Sequence, residues 1–297
     1  MDKQYIQDFL RAGKIASEVR AFGKTLIVKG ASYNQVITKI NKKIKDLGAK
    51  PAFPPQIALN NVAAHFLPHP NEDIIFLDQV VKVDVGVCFN GAIGDCAVTI
   101  DLSGKQQSLI DAAENALLAA EKILKVGLPL GMIGKTIEGT IAQYGYRPIR
   151  NLAGHGLGPY LIHTAPQIPN YASGQQECIT PLMTFAIEPF ATNGKGYVHE
   201  QGQAMIFCQV KKGPIPLAYP KVFMDAICAF EGLPFALHEL LELGISHNQV
   251  KAFLKSLVRT GFLCGYPALV EEERCFVAQA ENSVLIDESG QVFISTR

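Results

Sequence analysis

The sequence predicts a fold of the α+β class, in which helices accompany antiparallel strands. Two patterns predict helices, at residues 4–20 and 32–47, where apolar side chains recur at helical spacing. A third pattern predicts the strands, because two β-rich runs over residues 80–101 are separated by Asn90-Gly91. Asn-Gly between such runs is the strongest short-range signal of a β-hairpin.

Further elements follow along the chain. Ser32 is a candidate N-cap of the second helix, and Gly48 stands where its C-terminal stop belongs. The stretch 207–272 predicts a mostly helical insertion, whose acids, such as Glu239, Glu242 and Glu271, we expect on a solvated face. The remaining expected elements are helices at about 105–125 and 133–144, a glycine-rich segment at 151–163, and strands at 182–191 and 275–287.

The hairpin brings two aspartates to one face of the ribbon. If Asn90-Gly91 is the turn, Asp84 faces Ala97 and Asp95 faces Gly86. The aspartates are then diagonal neighbours with backbones about 7–8 Å apart. Two acids on an apolar ribbon repel each other and resist burial, and a bound cation removes both problems. The alternative is a solvated face on which both acids are ordinary surface charges.

Three more polar residues stand in settings that favour a metal site. His155 lies among glycines in Gly154-His155-Gly156, while Glu188 and Glu281 are single acids inside apolar strands. A buried acid needs a partner, and neither strand window contains Lys or Arg. Four carboxylates and one imidazole suit two ions of Mn, Fe(II), Co or Zn. The residues by themselves therefore favour a two-metal hydrolase.

Composition excludes other function classes. Lys plus Arg and Asp plus Glu total 27 each, so the formal net charge is zero, which argues against nucleic-acid binding by charge alone and against a polybasic membrane anchor. No apolar run reaches the roughly 18 residues of a spanning helix, and we expect no secretory signal. The odd number of cysteines without a Cys-x-x-Cys pair suits free thiols in a cytoplasmic protein, at positions 88, 96, 178, 208, 228, 264 and 275.

The wording and order of five segments is distinctive. They are Lys82-Val83-Asp84-Val85-Gly86, Gly94-Asp95-Cys96-Ala97, Asn151-Leu152-Ala153-Gly154-His155-Gly156, Ala186-Ile187-Glu188-Pro189-Phe190 and Ala278-Gln279-Ala280-Glu281. In these segments, and over essentially its whole length, the chain resembles type II methionine aminopeptidases in their short, archaeal-like form. The resemblance implies the pita-bread fold, with antiparallel sheets covered by helices. It also implies one catalytic domain over 1–297, with 207–272 as the helical insertion of type II members.

The resemblance also implies roles for individual residues. Two divalent ions would be bound, with Asp95 and Glu281 bridging them, by Asp84, Asp95, His155, Glu188 and Glu281. His65 and His163 match the family's substrate-contacting histidines, and Glu188 its proton shuttle. The methionine pocket would be lined by Phe53, His199 and Tyr266. Three positions depart from the family pattern without touching the ligand set, namely Ala153, Ala280 and Asn282.

The implied function is removal of the initiator methionine by a water or hydroxide that bridges the two metals. Its partners would be the N-termini of nascent polypeptides near the ribosome, and the chain would act as a monomer without membrane or direct nucleic-acid contact. One alternative is a prolidase-like or Xaa-Pro aminopeptidase, but such enzymes typically carry a large N-terminal domain, and the first candidate ligand here is already Asp84. The other is a non-catalytic pita-bread binding protein, a class that has lost ligands kept in this chain.

Overall fold

The computed structural model describes residues 2–211 and 219–297. The helices in these residues are α1 (Lys3–Leu26), α2 (Tyr33–Asp46), α3 (Gln107–Lys122), α4 (Leu130–Gln143), α5 (Lys221–Ala229) and α6 (His247–Arg259). The strands are β1 (Lys50–Pro51), β2 (Gln56–Leu59), β3 (Val62–Ala64), β4 (Val80–Phe89), β5 (Ala92–Asp101), β6 (Arg147–Pro148), β7 (Ala153–Gly158), β8 (Leu161–Pro169), β9 (Thr184–Ile187), β10 (Phe190–Thr192), β11 (His199–Gln209), β12 (Phe235–Ala236), β13 (Leu263–Val270), β14 (Val277–Gln279), β15 (Asn282–Ile286) and β16 (Val292–Ile294).

The strands form four sheets, and the named pairings are all antiparallel. One sheet contains β4 with β5 on one edge and β1 and β2 on the other. The other three have the orders β14-β10-β6, β12-β11-β13-β3 and β16-β15-β9-β7-β8. Helices α1 and α3 pack against strands of these sheets, which confirms the predicted α+β class with antiparallel sheets covered by helices.

The hairpin has the predicted register. Asp84 pairs with Ala97 and Gly86 pairs with Asp95, as expected for a two-residue turn. Asn90 and Gly91 have φ of 50° and 86°, the left-handed values that a type I′ turn requires at both central positions. The turn residues therefore determine which side chains share the face that carries both aspartates.

Helix α1 lies on the outer side of this hairpin. It is longer than predicted and ends at Leu26, and Asp2 caps it by accepting from the backbone N of Tyr5 at 2.7 Å. The helix approaches β5 so closely that a Cβ on Gly94 would lie 2.6 Å from backbone atoms of Ala12. Because the residue before Asp95 is a glycine, the backbone of α1 can pack directly against the strand that carries this acid.

Each of the two predicted strands with an acidic centre is broken at its acid. The first divides into β9 and β10 around Glu188-Pro189, and the second divides into β14 and β15 around Ala280-Glu281. β9 pairs with β15 in the five-stranded sheet, whereas β10 pairs with β14 in the three-stranded sheet. Both acids therefore lie where a strand pair passes from one sheet to the next.

A seam of hydrogen bonds attaches β5 to this crossing point. At its centre the backbones of Ala97 and Glu281 exchange bonds of 3.4 and 3.3 Å. On one side the hydroxyl of Thr99 bonds the backbone N and O of Gln279, and on the other side the hydroxyl of Ser283 bonds the backbone N and O of Asp95. The four distances are 2.7–2.9 Å. The seam thus joins three pairs at every second residue: Thr99 with Gln279, Ala97 with Glu281, and Asp95 with Ser283.

The stretch 207–272 differs from the mostly helical prediction at both ends. β11 continues to Gln209, and residues 212–218 lie outside the described residues. In the rest, helical structure comprises α5, a short 3-10 helix at Leu237–Leu240, and α6. The chain then forms a strand, β13, which pairs with both β11 and β3. These helices pack on β11 and β13 through an apolar cluster that includes Phe207, Phe223, Phe235, Leu240, Val250, Leu254, Leu257 and Leu263.

The prediction that Glu271 lies on a solvated face is wrong. Its side chain is 1% exposed, and its carboxylate accepts from the backbone N of Lys195, Gly196, Tyr197 and Glu272 at 3.0–3.2 Å. The partners come mainly from a loop about 75 residues away along the chain, so no local pattern reveals the burial. Glu271 therefore attaches the end of β13 to the loop that precedes β11.

Among the helices of the described residues, none is both long and apolar enough to cross a membrane.

We expect Glu271→Ala to lower the free energy of unfolding by about 3 kcal/mol, because four backbone N–H groups lose the charged acceptor that they share. The exposed neighbour Glu272 pairs only with Lys195 at the surface, and Glu272→Ala should cost at most about 1 kcal/mol. Urea unfolding of the two variants measures the difference. Equal losses would mean that the carboxylate of Glu271 does not hold this loop.

Candidate metal centre

A cavity of about 520 Å³ opens where the sheets meet. Nine of the ten predicted site residues line it, and each comes from a different strand or loop. The nine are Phe53, His65, Asp84, Asp95, His155, His163, Glu188, Tyr266 and Glu281. The tertiary structure therefore brings together side chains that the sequence spreads over more than two hundred residues.

Four carboxylates form the floor of this cavity. Asp95 and Glu281 are 2% and 1% exposed, and Asp84 and Glu188 are partly buried. Burial raises the pKa of Asp84 to about 7. Burial first, and then the charges of the neighbouring acids, raise the pKa of Asp95, Glu188 and Glu281 well above their ordinary values. The cluster of acids therefore favours the binding of either protons or cations.

His155 adds one nitrogen donor to the four acids. Its Nε2 lies 3.8 Å from Oδ2 of Asp95 and 3.6 Å from Oε1 of Glu188, while its Nδ1 faces the carbonyl of Gly156 at 3.4 Å. Burial, and next the neighbouring His163, lower the pKa of His155 to about 3. With Nδ1–H directed at the carbonyl, the neutral ring presents the Nε2 lone pair to the acids, as a metal-binding histidine does.

In the part of the chain that the structure describes, the acids have no Lys or Arg as an ion-pair partner. Among the described residues, the ion pairs of Lys and Arg do not include Asp84, Asp95, Glu188 or Glu281. The nearby Lys82 is buried, but its Nζ donates to the carbonyls of Asn60 and Val277. The salt-bridge explanation for the buried acids is therefore excluded for this part of the chain.

The donor atoms fit divalent cations. Ligand atoms of Asp95, His155 and Glu281 all lie within 4.8 Å of one another. Oδ1 of Asp84 and Oδ1 of Asp95 are buried without a hydrogen-bond partner, which is costly for a carboxylate oxygen unless an ion binds it. Oxygen-rich sites with one imidazole suit Mn, Fe(II), Co and Zn. The residues present can thus hold the group that the sequence predicts.

Gln279 is a contact residue that the sequence interpretation missed. Its Nε2 lies 3.3 Å from Oδ2 of Asp84, 3.5 Å from Oε2 of Glu188 and 3.4 Å from Oε2 of Glu281. The side chain is 1% exposed, at the end of the apolar strand β14. A single polar residue in an apolar strand is the signal that drew attention to Glu281, and it applied equally to Gln279.

The two other cavity histidines form an aromatic group with Tyr266. The ring of His163 meets that of His155 edge-on at 4.4 Å between centroids, and the ring of His65 meets that of Tyr266 at 5.2 Å. Burial, and next His163, lower the pKa of His65 to about 4, so this ring is neutral at physiological pH. Gln56 holds His65 in place, since its Oε1 accepts from the backbone N of His65 at 2.6 Å, where φ is 60°.

The cavity wall beside the acids is apolar. The ring of Phe53 occupies the space over Gly86, where a Cβ would lie 2.2 Å from the ring, so the glycine opposite Asp95 makes room for this aromatic side chain. Ile206 also lines the wall, although the sequence interpretation did not include it.

The structure does not bring His199 into this wall. It is exposed at the start of β11, where every residue from His199 to Gln203 is exposed, and it does not line the cavity. β11 bulges between Gln201 and Ile206, a register shift that the sequence does not reveal and that brings Ile206 opposite Tyr266.

Asn282, one of the positions that depart from the family pattern, lies behind the floor. Its side chain accepts from Arg20 at 2.8 Å and donates to Glu121 at 2.7 Å. Arg20 also donates to the backbone carbonyl of Glu281 at 2.8 Å. Asn282 thus takes part in the polar network that supports the Glu281 backbone, and it does not line the cavity.

We expect the metal-free protein to lose stability as pH rises. In the unfolded chain the acids titrate at about pH 4, whereas burial raises the folded pKa of Asp84 to about 7 and those of the other three well above their ordinary values. The folded state then holds more protons than the unfolded state, so its free energy of unfolding falls across this window. The lowered pKa of His155 and His65 acts oppositely only below about pH 6.5.

Urea unfolding in a chelator, from about pH 6 to about pH 7.5, measures this slope, because the range spans the folded pKa of Asp84. Saturating Mn²⁺ should abolish the decline, because cations replace protons on the acids. Asp84→Asn should reduce the slope in the chelator. Parallel slopes with and without the cation would contradict the prediction.

A family model and full-length relatives match this chain. Residues 7–214 match the model of metallopeptidase family M24. The chain is 38% identical to the methionine aminopeptidase of Methanocaldococcus jannaschii over 299 residues, which is 100% of each chain. It is 37% identical to that of Archaeoglobus fulgidus over 292 residues, which is 98% of each chain.

The solved structure of methionine aminopeptidase from Thermotoga maritima is similar in fold, with a TM-score of 0.73 at 24% identity over 100% of this chain and 98% of that one. This likeness, with the family match, confirms the expected pita-bread fold. The chain therefore belongs to metallopeptidase family M24, as a metal-dependent aminopeptidase.

Proposed function

We propose that the chain removes the initiator methionine from nascent proteins and peptides with two divalent ions of Co, Mn, Fe(II) or Zn. One observation carries this proposal: four carboxylates and a neutral imidazole, without a Lys or Arg partner in the described residues, converge at the floor of one cavity. Four negative charges balance two divalent cations. The relatives named methionine aminopeptidase, at full length, support the substrate.

Each ligand has a role in this proposal. Asp95 and Glu281 would be shared by the two ions, which is supported by their adjacent carboxylates on the two sides of the β5 seam. Asp84, His155 and Glu188 would complete the ligand set. Ions bound there would supply a water or hydroxide that is nucleophilic near neutral pH and would polarise the scissile carbonyl.

Glu188 moves the proton during the reaction. In the metal-free protein its pKa is raised by burial and then by Asp84 and Asp95, which shows how close it lies to the other acids. It would take the proton of the attacking water and deliver it to the nitrogen of the leaving amide. The backbone carbonyl of Glu188 accepts from Asn170 at 3.1 Å, which keeps this residue at the cavity floor.

His65 and His163 act on the substrate amide. Both line the cavity opposite the acids, and the lowered pKa of His65 keeps it a neutral N–H donor. One N–H would stabilise the charge that develops on the carbonyl oxygen, and the other would hold the scissile amide. The apolar wall of Phe53, Ile206 and Tyr266 would bury the thioether of the methionine side chain.

We further propose a cytoplasmic monomer whose whole length, 1–297, is one catalytic domain with 207–272 inserted into it. The substrates would be N-termini of nascent polypeptides near the ribosome. The described cysteines are all free, which suits a reducing compartment.

Metal reconstitution tests the function. Metal-free protein should not cleave Met-Ala-Ser, and activity should return on titration with a divalent cation and saturate at two ions per chain by calorimetry. Asp84→Asn, Asp95→Asn, His155→Ala, Glu188→Gln and Glu281→Gln should each abolish turnover or nearly so. Full activity with one ion would refute the dinuclear part. Cleavage of Xaa-Pro peptides in place of Met-Ala-Ser would identify a prolidase-like enzyme, and failure to bind any divalent cation a binding protein.

We expect His65→Ala and His163→Ala to retain both ions and to lower kcat by about 10²–10³-fold, because each loses a positioned hydrogen-bond donor. Metal analysis of the purified variants, beside steady-state kinetics on Met-Ala-Ser, separates binding from catalysis. The exposed His247, at the start of α6 and outside the cavity, is the control, and His247→Ala should behave as wild type. An ion lost from either cavity variant would make that histidine a ligand instead.

A further inference from the structure

Gln279 has an unusually constrained position for a residue outside the ligand set. Its backbone is clamped by Thr99, whose hydroxyl donates to the Gln279 carbonyl at 2.7 Å and accepts from the Gln279 N at 2.8 Å. The residue is 1% exposed, and its side chain lies among the acids. Neither the backbone nor the amide can move without breaking buried hydrogen bonds.

The amide contacts acids from three different places in the fold. Asp84 stands on β4, Glu188 at the break between β9 and β10, and Glu281 at the break between β14 and β15. The Gln279 Nε2 lies 3.3–3.5 Å from one oxygen of each. An amide nitrogen carries two hydrogens, so it can donate to two of these oxygens at a time.

The contacts of the amide distinguish the two carboxylate oxygens of Asp84 and those of Glu188. Oδ2 of Asp84 faces the amide, and the other oxygen, Oδ1, is buried without a partner. Oε2 of Glu188 faces the amide, and Oε1 faces Nε2 of His155 at 3.6 Å. In Asp84 and Glu188 the amide thus engages one oxygen and leaves the other available for an ion.

We propose that Gln279 is a positioning residue that selects which oxygens of Asp84, Glu188 and Glu281 bind the ions. This inference rests on the proposed two-ion function. The choice of an amide follows from charge. A Lys or Arg here would neutralise the acids and compete with cations, whereas a Glu would add a fifth carboxylate in contact with three others. Glutamine donates hydrogen bonds and leaves the four charges available for the ions.

Two near-isosteric variants separate positioning from charge. Gln279→Met keeps the length and removes the donor, and Gln279→Glu replaces the donor with a negative charge. If Gln279 positions the oxygens, both variants should bind Mn²⁺ about 10–100-fold more weakly than wild type. If only total charge matters, Gln279→Glu should bind Mn²⁺ more tightly and Gln279→Met should bind it as wild type does.

The matched control is Gln56→Met. Gln56 is also a buried glutamine of the cavity wall, but its described bond is to the backbone N of His65, so Mn²⁺ affinity should stay at the wild-type value. Titration calorimetry on metal-free proteins gives the affinities, and urea unfolding of the same samples reports folding. If Gln279→Met does not fold, Gln279→Asn, whose shorter amide cannot span the three acids, carries the same expectation.

The outcomes are distinguishable from those of the proposed function. Wild-type stoichiometry tests whether two ions bind, and the ratio of variant to wild-type affinity tests Gln279. A ratio within about twofold for Gln279→Met, in a protein that folds, would overturn the positioning role. A variant with lower stability but unchanged Mn²⁺ affinity would overturn it as well, because Gln279 would then be only a structural residue.

Discussion

The structure depends on holding four carboxylates together at one largely buried point. Desolvation and mutual repulsion both oppose this arrangement, and the raised pKa of each acid records the opposition. Side chains alone would relieve the repulsion by moving apart. The backbones that carry them must therefore be fixed by interactions unrelated to the acids, and the cost is recovered only when protons or cations occupy the site.

The sheets provide that fixation at their crossing point. Glu188 and Glu281 stand at the breaks where paired strands pass from the five-stranded to the three-stranded sheet, so each acid is held by two sheets. The seam then attaches β5, with Asp95, to the same point through the hydroxyls of Thr99 and Ser283. A hydroxyl both donates and accepts, and so it continues a ladder where the strands are too far apart for direct backbone bonds.

The acids and the apolar wall of the cavity come from different parts of the fold. The acids belong to the sheets under α1 and α3, whereas Ile206 and Tyr266 belong to β11 and β13, which share an apolar cluster with the helices of the 207–272 stretch. The residues that match the M24 family model, 7–214, include Asp84, Asp95, His155 and Glu188 of the floor, whereas Tyr266 of the wall lies outside the match.

The sequence by itself determined the elements whose signals are local. Asn90-Gly91 sets the hairpin register and so the shared face of Asp84 and Asp95, and Ser32 caps α2 as expected. The five motifs predict a metal centre because each acid or histidine contrasts with the apolar or glycine residues beside it. Turn chemistry and periodicity act between neighbours, and for that reason they can be read without the fold.

Only the tertiary structure decided which distant groups meet. The β11 bulge brought Ile206 and not His199 to the pocket, backbone N–H groups of a remote loop buried Glu271, and the seam put the Gln279 amide among three acids. Strand pairing across long separations has no local signature, and a bulge changes register without changing composition. Convergence of side chains is therefore a property of the packed sheets, and the sequence specifies it only through the whole fold.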